Sequence, residues 1–394
     1  MRVLFVSSPG LGHLLPLIQL AWGFRTNGHD VLIATAEHAE RAAGSGLDVV
    51  DVAPDFSAVA VFEQVAKDNP DFMATVATRP AVNLEERAVQ IAAANRPLID
   101  GLIALTDEWK PDLVVYEHGA TAGLFAAARA GVPAVQRNHG AFRTGGMHHA
   151  IAGFLGDFFD RYAIAGPLPE PAVKIESFPP SMLDREPEGW FMRWVSYGGG
   201  TVLRAGRPSP AGAAAANGNG RPARRPQVAV TMGTIELQAF GLDAIESILA
   251  AAAEVDADFV LALGDVDVGP LGELPPNVRS VGWAPLHRLL PECAGVVHHG
   301  GGGTVLTALE AGTPQLLAPD ARDTFQHSAR AAVRRLGFGL TSTADQVTPE
   351  LLRTLIEDER LAGAAAAMRE EMLSLPTPAE TVRRILAEVP AVYA

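Results

Sequence analysis

The same short unit stands near the start of each half of the chain: a β-rich apolar run, a glycine-bearing turn and an amphipathic helix. In the first half these are residues 3–7, 9–12 and 14–27, with Gly28 closing the helix and residues 30–35 returning as a strand. In the second they are residues 227–232, the pair Gly233-Thr234, a helix near 242–254 and a strand at 258–264. Strands that alternate with helices pair in parallel and need cover on both faces. The pattern predicts an α/β chain of two doubly wound, Rossmann-like parallel-sheet domains facing each other across a cleft. Ligands of such sheets collect beyond the carboxyl ends of the strands.

The first half adds strands at 112–116 and 134–136 around a helix at 121–130. The second adds strands at 278–281, 294–297 and 315–318, with helices at 286–290, 304–312 and 326–336. A closing helix is expected near 379–388. Residues 204–226, with Pro208, Pro210, a run of alanines, Asn217-Gly218-Asn219-Gly220 and several arginines, cannot bury enough apolar surface to offset their ordering entropy and read as a flexible linker. The predicted parts are therefore 1–203, the linker 204–226, 227–375 and a last segment 376–394.

Composition narrows the function classes. A chain of 394 residues is too long for one ordinary core, which agrees with two domains. Its formal charge of −14 argues against nucleic acid as the main partner, and no apolar stretch is long enough to span a bilayer. The one cysteine, Cys293, has no intrachain partner, and the start of the chain reads as a strand turning at Pro9-Gly10 instead of a signal peptide. A cytoplasmic location is expected.

The sharpest local signal is His298-His299-Gly300-Gly301-Gly302-Gly303-Thr304, between a predicted strand and a predicted helix. Glycines there let the backbone approach a ligand, and the first helix amides point at it without intrahelical partners, which is an anion site. The bland alternative is a surface loop. His13, after the first strand and at the entrance to the first helix, is placed to act as a general base, or else caps the helix. Glu117 ends the strand at 112–116 and either hydrogen-bonds the His13 imidazole or is a solvated loop carboxylate, with His118 competing for either role. Trp283 leaves another strand and either stacks on a planar ring or packs in the core. Gly233 and Thr234, and residues 320–326, supply further polar strand exits.

Three rival motifs fail. Gly10 and Gly12 lack the third glycine of a dinucleotide fingerprint, because Leu15 stands in its place. The lipase-like His299-Gly300-Gly301-Gly302 has no Gly-x-Ser-x-Gly elbow to serve. Adjacent histidines such as His148-His149 diverge in space, so no metal site is expected.

Taken together these residues resemble the two-domain GT-B glycosyltransferases, specifically the actinobacterial enzymes that glycosylate natural products. The likeness covers nearly the whole chain except the linker and is most specific over residues 228–340. Residues 1–37, 232–240 and 298–326 are similar to the calicheamicin-type enediyne glycosyltransferases. The resemblance implies an acceptor domain at 1–203, a nucleotide-sugar domain at 227–375 and a last helix crossing back to the first domain. It implies that His13 is the catalytic base, supported by Glu117 where the family usually has aspartate. It gives Trp283 to the nucleotide base, and Gly233, Thr234, His298, Gly300, Gly302, Gly303 and Thr304 to the diphosphate and its cradle. Asp323 and Thr324 fall where an Asp-Gln pair holds the donor sugar.

The implied reaction is inverting, metal-independent transfer of a deoxysugar from a thymidine-diphosphate sugar to a hydroxyl of an enediyne or aromatic polyketide aglycone. A sugar-nucleotide epimerase of the same fold is the alternative. No cofactor is expected beyond the sugar nucleotide, and the partners are this co-substrate and the small-molecule aglycone, with a homodimer left open. Phe62, Trp190 and Trp194 either line an apolar acceptor pocket or belong to the core.

Overall fold

The computed structural model describes residues 1–72, 87–184, 186–200, 225–233, 237, 241–320 and 327–393. The chain divides into two compact units, one made of Met1–Trp194 with Leu375–Ala394, the other of Val195–Ser374. Residues 195–200, grouped with the first domain in the sequence reading, therefore belong to the second unit. Most of the expected linker, 204–224, lies outside the described residues; at its end Arg225 pairs with Asp256.

The first unit is built on a seven-stranded sheet. Its strands are β1 (Arg2–Val6), β2 (Asp30–Thr35), β3 (Asp48–Asp51), β4 (Leu113–Glu117), β5 (Ala134–Asn138), β6 (Val173–Glu176) and β7 (Trp190–Phe191), in the order β3-β2-β1-β4-β5-β6-β7. Every pairing is parallel. β4 and β5 are buried at every position, as central strands covered on both faces must be. The helix Ala122–Ala130 lies close on β4 because Gly123 leaves room: a Cβ there would sit 2.7 Å from Cβ of Tyr116. The order reverses between β1 and β4, and that is where such a sheet opens a crevice at its carboxyl edge.

The second unit repeats the plan with six parallel strands: β8 (Gln227–Thr231), β9 (Asp258–Leu261), β10 (Val278–Ser280), β11 (Gly295–His298), β12 (Gln315–Leu317) and β13 (Gly339–Thr341), ordered β10-β9-β8-β11-β12-β13. Here the reversal falls between β8 and β11. The last helix, Pro378–Tyr393, packs in the first unit against the helix Ile18–Thr26; a Cβ on Gly23 would come within 2.9 Å of Cγ2 of Val382. No described helix is long and apolar enough to cross a membrane.

Small boundary differences matter for the site. Helix begins at Leu11, passes through a 3-10 turn containing Pro16 and resumes at Ile18, so His13 sits inside the first turn and not before it. Strand pairing carries β4 through Glu117 and β11 through His298, each one residue further than the apolar run suggested. The glycine-rich helix starts at Gly302, two residues early.

Candidate active site

Gly10 makes the first turn. Its φ of 105° lies in the region glycine favours, and its carbonyl accepts from the amides of His13 and Leu14, which starts the helix directly behind β1. Parallel register sets Val6 beside Tyr116, so the next residue of β4, Glu117, comes up next to this turn. Nδ1 of His13 lies 3.1 Å from Oε2 of Glu117. The longer glutamate therefore reaches the imidazole where an aspartate was expected.

Glu117 is fully buried, which removes the reading of it as a solvated loop carboxylate. The amide of Ser8 donates to its Oε1 at 3.3 Å and that of Gly119 to Oε2 at 3.0 Å. Burial alone would raise its pKa, but His13 and then His118 outweigh burial and hold the carboxyl well below its usual range. For His13 burial is again the largest single influence and lowers the pKa; the charge and hydrogen bond of Glu117 together exceed it, leaving the imidazole above its ordinary value. The His13 side chain is 32% exposed although Nδ1 is buried, so the open edge is the one that carries Nε2.

Two more histidines complete the surroundings. Nδ1 of His118 is 3.4 Å from Oε2 of Glu117, and the His118 and His139 rings are 4.6 Å apart. Burial pushes His118 down to about 4 and His139 well below the ordinary range, so both are neutral near pH 7. His139 was missed in the sequence. It follows β5 directly, as His13 follows β1 closely, and that strand-exit position was the available signal. The expected divergence of His148 and His149 is corrected: their rings stand 4.0 Å apart and both face Oε1 of Glu170, at 3.3 and 2.8 Å, while His13, Glu117, His118 and His139 come together from three strand exits.

In the second unit, Gly301 caps the helix Gly302–Ala311, and its carbonyl accepts from the amides of Thr304 and Val305. The amides of Gly302 and Gly303 come before these first bonds, at the positive end of the helix. Gly233, with φ of 69°, brings β8 against this segment so closely that a Cβ would sit 2.6 Å from Cε1 of His299. Trp283 is half-buried, and its Nε1 donates to the carbonyl of Gly198 at 2.9 Å. Thr234, Asp323 and Thr324 lie outside the described residues.

His298, which the resemblance gives to the diphosphate, has its ring in the interior of the second unit. It is fully buried, Nδ1 accepts from the amide of Gly300 at 3.1 Å, and Nε2 faces Oε1 of Gln315 at 2.9 Å. Burial first, and then His299, take its pKa to about 3. The ring is neutral near pH 7 and ties the glycine turn through the Gly300 amide. Segment 195–200 is fastened beside this helix: Ser196 bonds the Glu310 carboxylate and Oγ1 of Thr307, which itself donates to the carbonyl of Gly303 at 2.7 Å.

The expected acceptor residues separate. Phe62 is 39% exposed on the helix Ala58–Asp68. Trp194 is buried, with its ring 5.9 Å from the guanidinium of the fully buried Arg137, and is a core residue. Trp190 is covered by the Arg384 guanidinium at 3.8 Å, so its face packs on the last helix.

Two Rossmann-like parallel sheets, each with polar groups gathered at its point of reversal, make this a glycosyltransferase of the GT-B class. Residues 22–205 and 246–388 match the N-terminal and C-terminal domains described as erythromycin biosynthesis protein CIII-like, and the chain belongs to that family. It is 36% identical to elloramycin glycosyltransferase ElmGT of Streptomyces olivaceus over 98% of this chain and 97% of that protein. It is similar in structure to the glycosyltransferase SnogD of Streptomyces nogalater, with TM-score 0.80, 34% identity and coverage of 98% and 99% of the two chains. It is also similar to the Streptomyces sp. SF2575 glycosyltransferase SsfS6 complexed with thymidine diphosphate, with TM-score 0.75, 26% identity and coverage of 98% and 99%. The relatives are named as transferases, which gives the epimerase alternative no support.

Proposed function

We propose that the chain is an inverting, metal-independent glycosyltransferase that moves a deoxysugar from a thymidine-diphosphate sugar to a hydroxyl of a natural-product aglycone of the aromatic polyketide or enediyne type. The first unit takes the acceptor and the second the sugar nucleotide. The observation that carries this reading is the contact of His13 with a buried, ionised Glu117. The Glu117 carboxylate, 3.1 Å from Nδ1 of His13, favours a proton on that nitrogen and so leaves the Nε2 lone pair for the acceptor proton. The acceptor oxygen then attacks the anomeric carbon opposite the departing diphosphate; the new C–O bond forms as the bond to the phosphate oxygen breaks, and the released electron pair stays on the diphosphate. An α-linked donor gives a β-linked product.

The leaving group needs stabilisation where its charge grows. The amides of Gly302 and Gly303 at a helix amino terminus supply it from fixed dipoles. Support for the donor class comes from SsfS6, whose structure holds thymidine diphosphate. The test is transfer from thymidine-diphosphate sugars to a panel of aromatic polyketides by the wild-type chain and by His13→Ala. Transfer at the wild-type rate by the variant refutes the general-base assignment.

A further inference from the structure

Transfer as proposed uses His13 and Glu117 and gives His118 and His139 no step. Yet His13, Glu117, His118 and His139 each offer one donor atom to a common spot, and the four atoms lie within 4.8 Å of one another. They arrive from the exits of β1, β4 and β5, three neighbouring parallel strands, so the sheet itself holds the cluster. His118 and His139 are 5% and 7% exposed, and Nδ1 of His139 is buried without a hydrogen-bond partner. A buried nitrogen in that condition costs stability unless something else engages it.

Three imidazoles and one carboxylate are the donor set of a borderline divalent ion of the zinc class; magnesium and calcium require oxygen shells. A tetrahedral zinc ion with bonds of about 2.0–2.1 Å spaces its ligands roughly 3.4 Å apart. Nδ1 of His13 and Nδ1 of His118 already stand 3.1 and 3.4 Å from Oε2 of Glu117. All four donor atoms lie within 4.8 Å of one another, so closing the remaining spacings to about 3.4 Å completes the set.

We infer that His13, Glu117, His118 and His139 form a binding site for a zinc-class divalent ion, and that its occupation switches the transferase off. The binding half stands on the cluster alone, whereas the inhibition half rests on His13 being the base. In the neutral form the reaction uses, coordination takes the lone pair of His13 Nδ1, the proton of that nitrogen passes to solvent and solvent returns one to Nε2. The ring so formed has no free lone pair at Nε2 and cannot accept a proton from the sugar acceptor. The ion also withdraws Glu117 from His13.

A second cluster, His148, His149 and Glu170, provides an internal control, because His149 and Glu170 are half-exposed or more and share no residue with the first cluster. The untagged 394-residue chain is titrated with cobalt(II) and followed through the visible bands of tetrahedral cobalt, with zinc added as competitor. One equivalent is expected to give these bands in the wild type and in His149→Ala, with their loss in His139→Leu and in His118→Asn. In transfer assays zinc should abolish turnover and a chelator restore it. His139→Leu should need at least tenfold more zinc for the same fractional loss, measured against its own zinc-free rate. A wild-type chain that gives no tetrahedral cobalt spectrum and retains no zinc on dialysis overturns the site. Tight binding at this cluster with transfer undiminished overturns the inhibition and the base assignment together, while His13→Ala tests that assignment separately.

Discussion

The indole of Trp283 is tied through its Nε1 to the carbonyl of Gly198, a residue of the segment that leads into the second unit from Trp194. A ring at a strand exit is thereby held at a fixed angle by backbone from outside the sheet. The indole is half-buried with its edge anchored, and in the proposed function its face stacks on the nucleotide base. Trp283→Ala removes both functions and should weaken thymidine-diphosphate binding about tenfold, with acceptor affinity unchanged. Trp283→Phe retains a ring and loses only the anchor, so it should fall between the two. Calorimetry with the nucleotide and, separately, with an aglycone checks this; an Ala variant with wild-type nucleotide affinity removes Trp283 from the donor site.

Loss of the imidazole should lower kcat far more than it alters donor binding. General-base contributions are typically about 10²–10⁴-fold, and His13→Ala is expected in that range. Glu117→Gln keeps the shape and the Ser8 amide contact but removes the charge that stabilises the imidazolium, so kcat should fall by at least about tenfold with thymidine-diphosphate affinity intact. Steady-state kinetics of both variants alongside nucleotide calorimetry separate the chemical step from binding.

Acid should silence the enzyme through His13. Its pKa is above the ordinary 6.5, and only the neutral ring accepts a proton, so the rate should rise with pH through a midpoint above 6.5. In Glu117→Gln the influence that raises it is gone while burial stays, and the midpoint should move down. The stability signs follow the same shifts. The depressed Glu117 contributes stability above its unfolded value, lost as pH falls through the folded one; the raised His13 contributes below 6.5, lost as pH rises through its folded value. A kcat-versus-pH profile with an unchanged acid limb in the Gln variant would contradict the coupling.

Packing of the last helix gives a stability prediction remote from chemistry. A Cβ on Gly23 meets Cγ2 of Val382 at 2.9 Å, so Gly23→Ala overpacks the contact and should cost about 1–3 kcal/mol. Val382→Ala should recover part of that loss in the double variant, which thermal unfolding of the four chains of the cycle measures. Strict additivity would show that the two residues do not share the contact.

Much of the architecture could be read before the structure, because parallel sheets write themselves as apolar runs separated by glycine turns and helices. The order of strands is less legible, yet it alone brings Glu117 beside His13, through the pairing of β1 with β4 across intervening sequence. His139 escaped for the same reason, since only the pairing of β4 with β5 sets it against His118. The direction of His298 was not legible in its motif: β11 continues through it, and its ring bonds Gln315 in the interior. Trp190 and Trp194 read equally well as pocket or core, and only the positions of Arg384 and Arg137 decide for packing.

The chain leaves its first unit after Trp194 and re-enters it at Leu375, and the two crossings are stitched by the Arg193 amide, which donates to the carbonyl of Pro376 at 2.7 Å. In sequence, residues 195–374 are thus inserted into the first unit between two neighbouring points of its chain. An isolated fragment of the inserted part can be expressed as continuous sequence. The host unit cannot: it needs its own last helix, and a short bridge from residue 194 to 375 should close it without the insert.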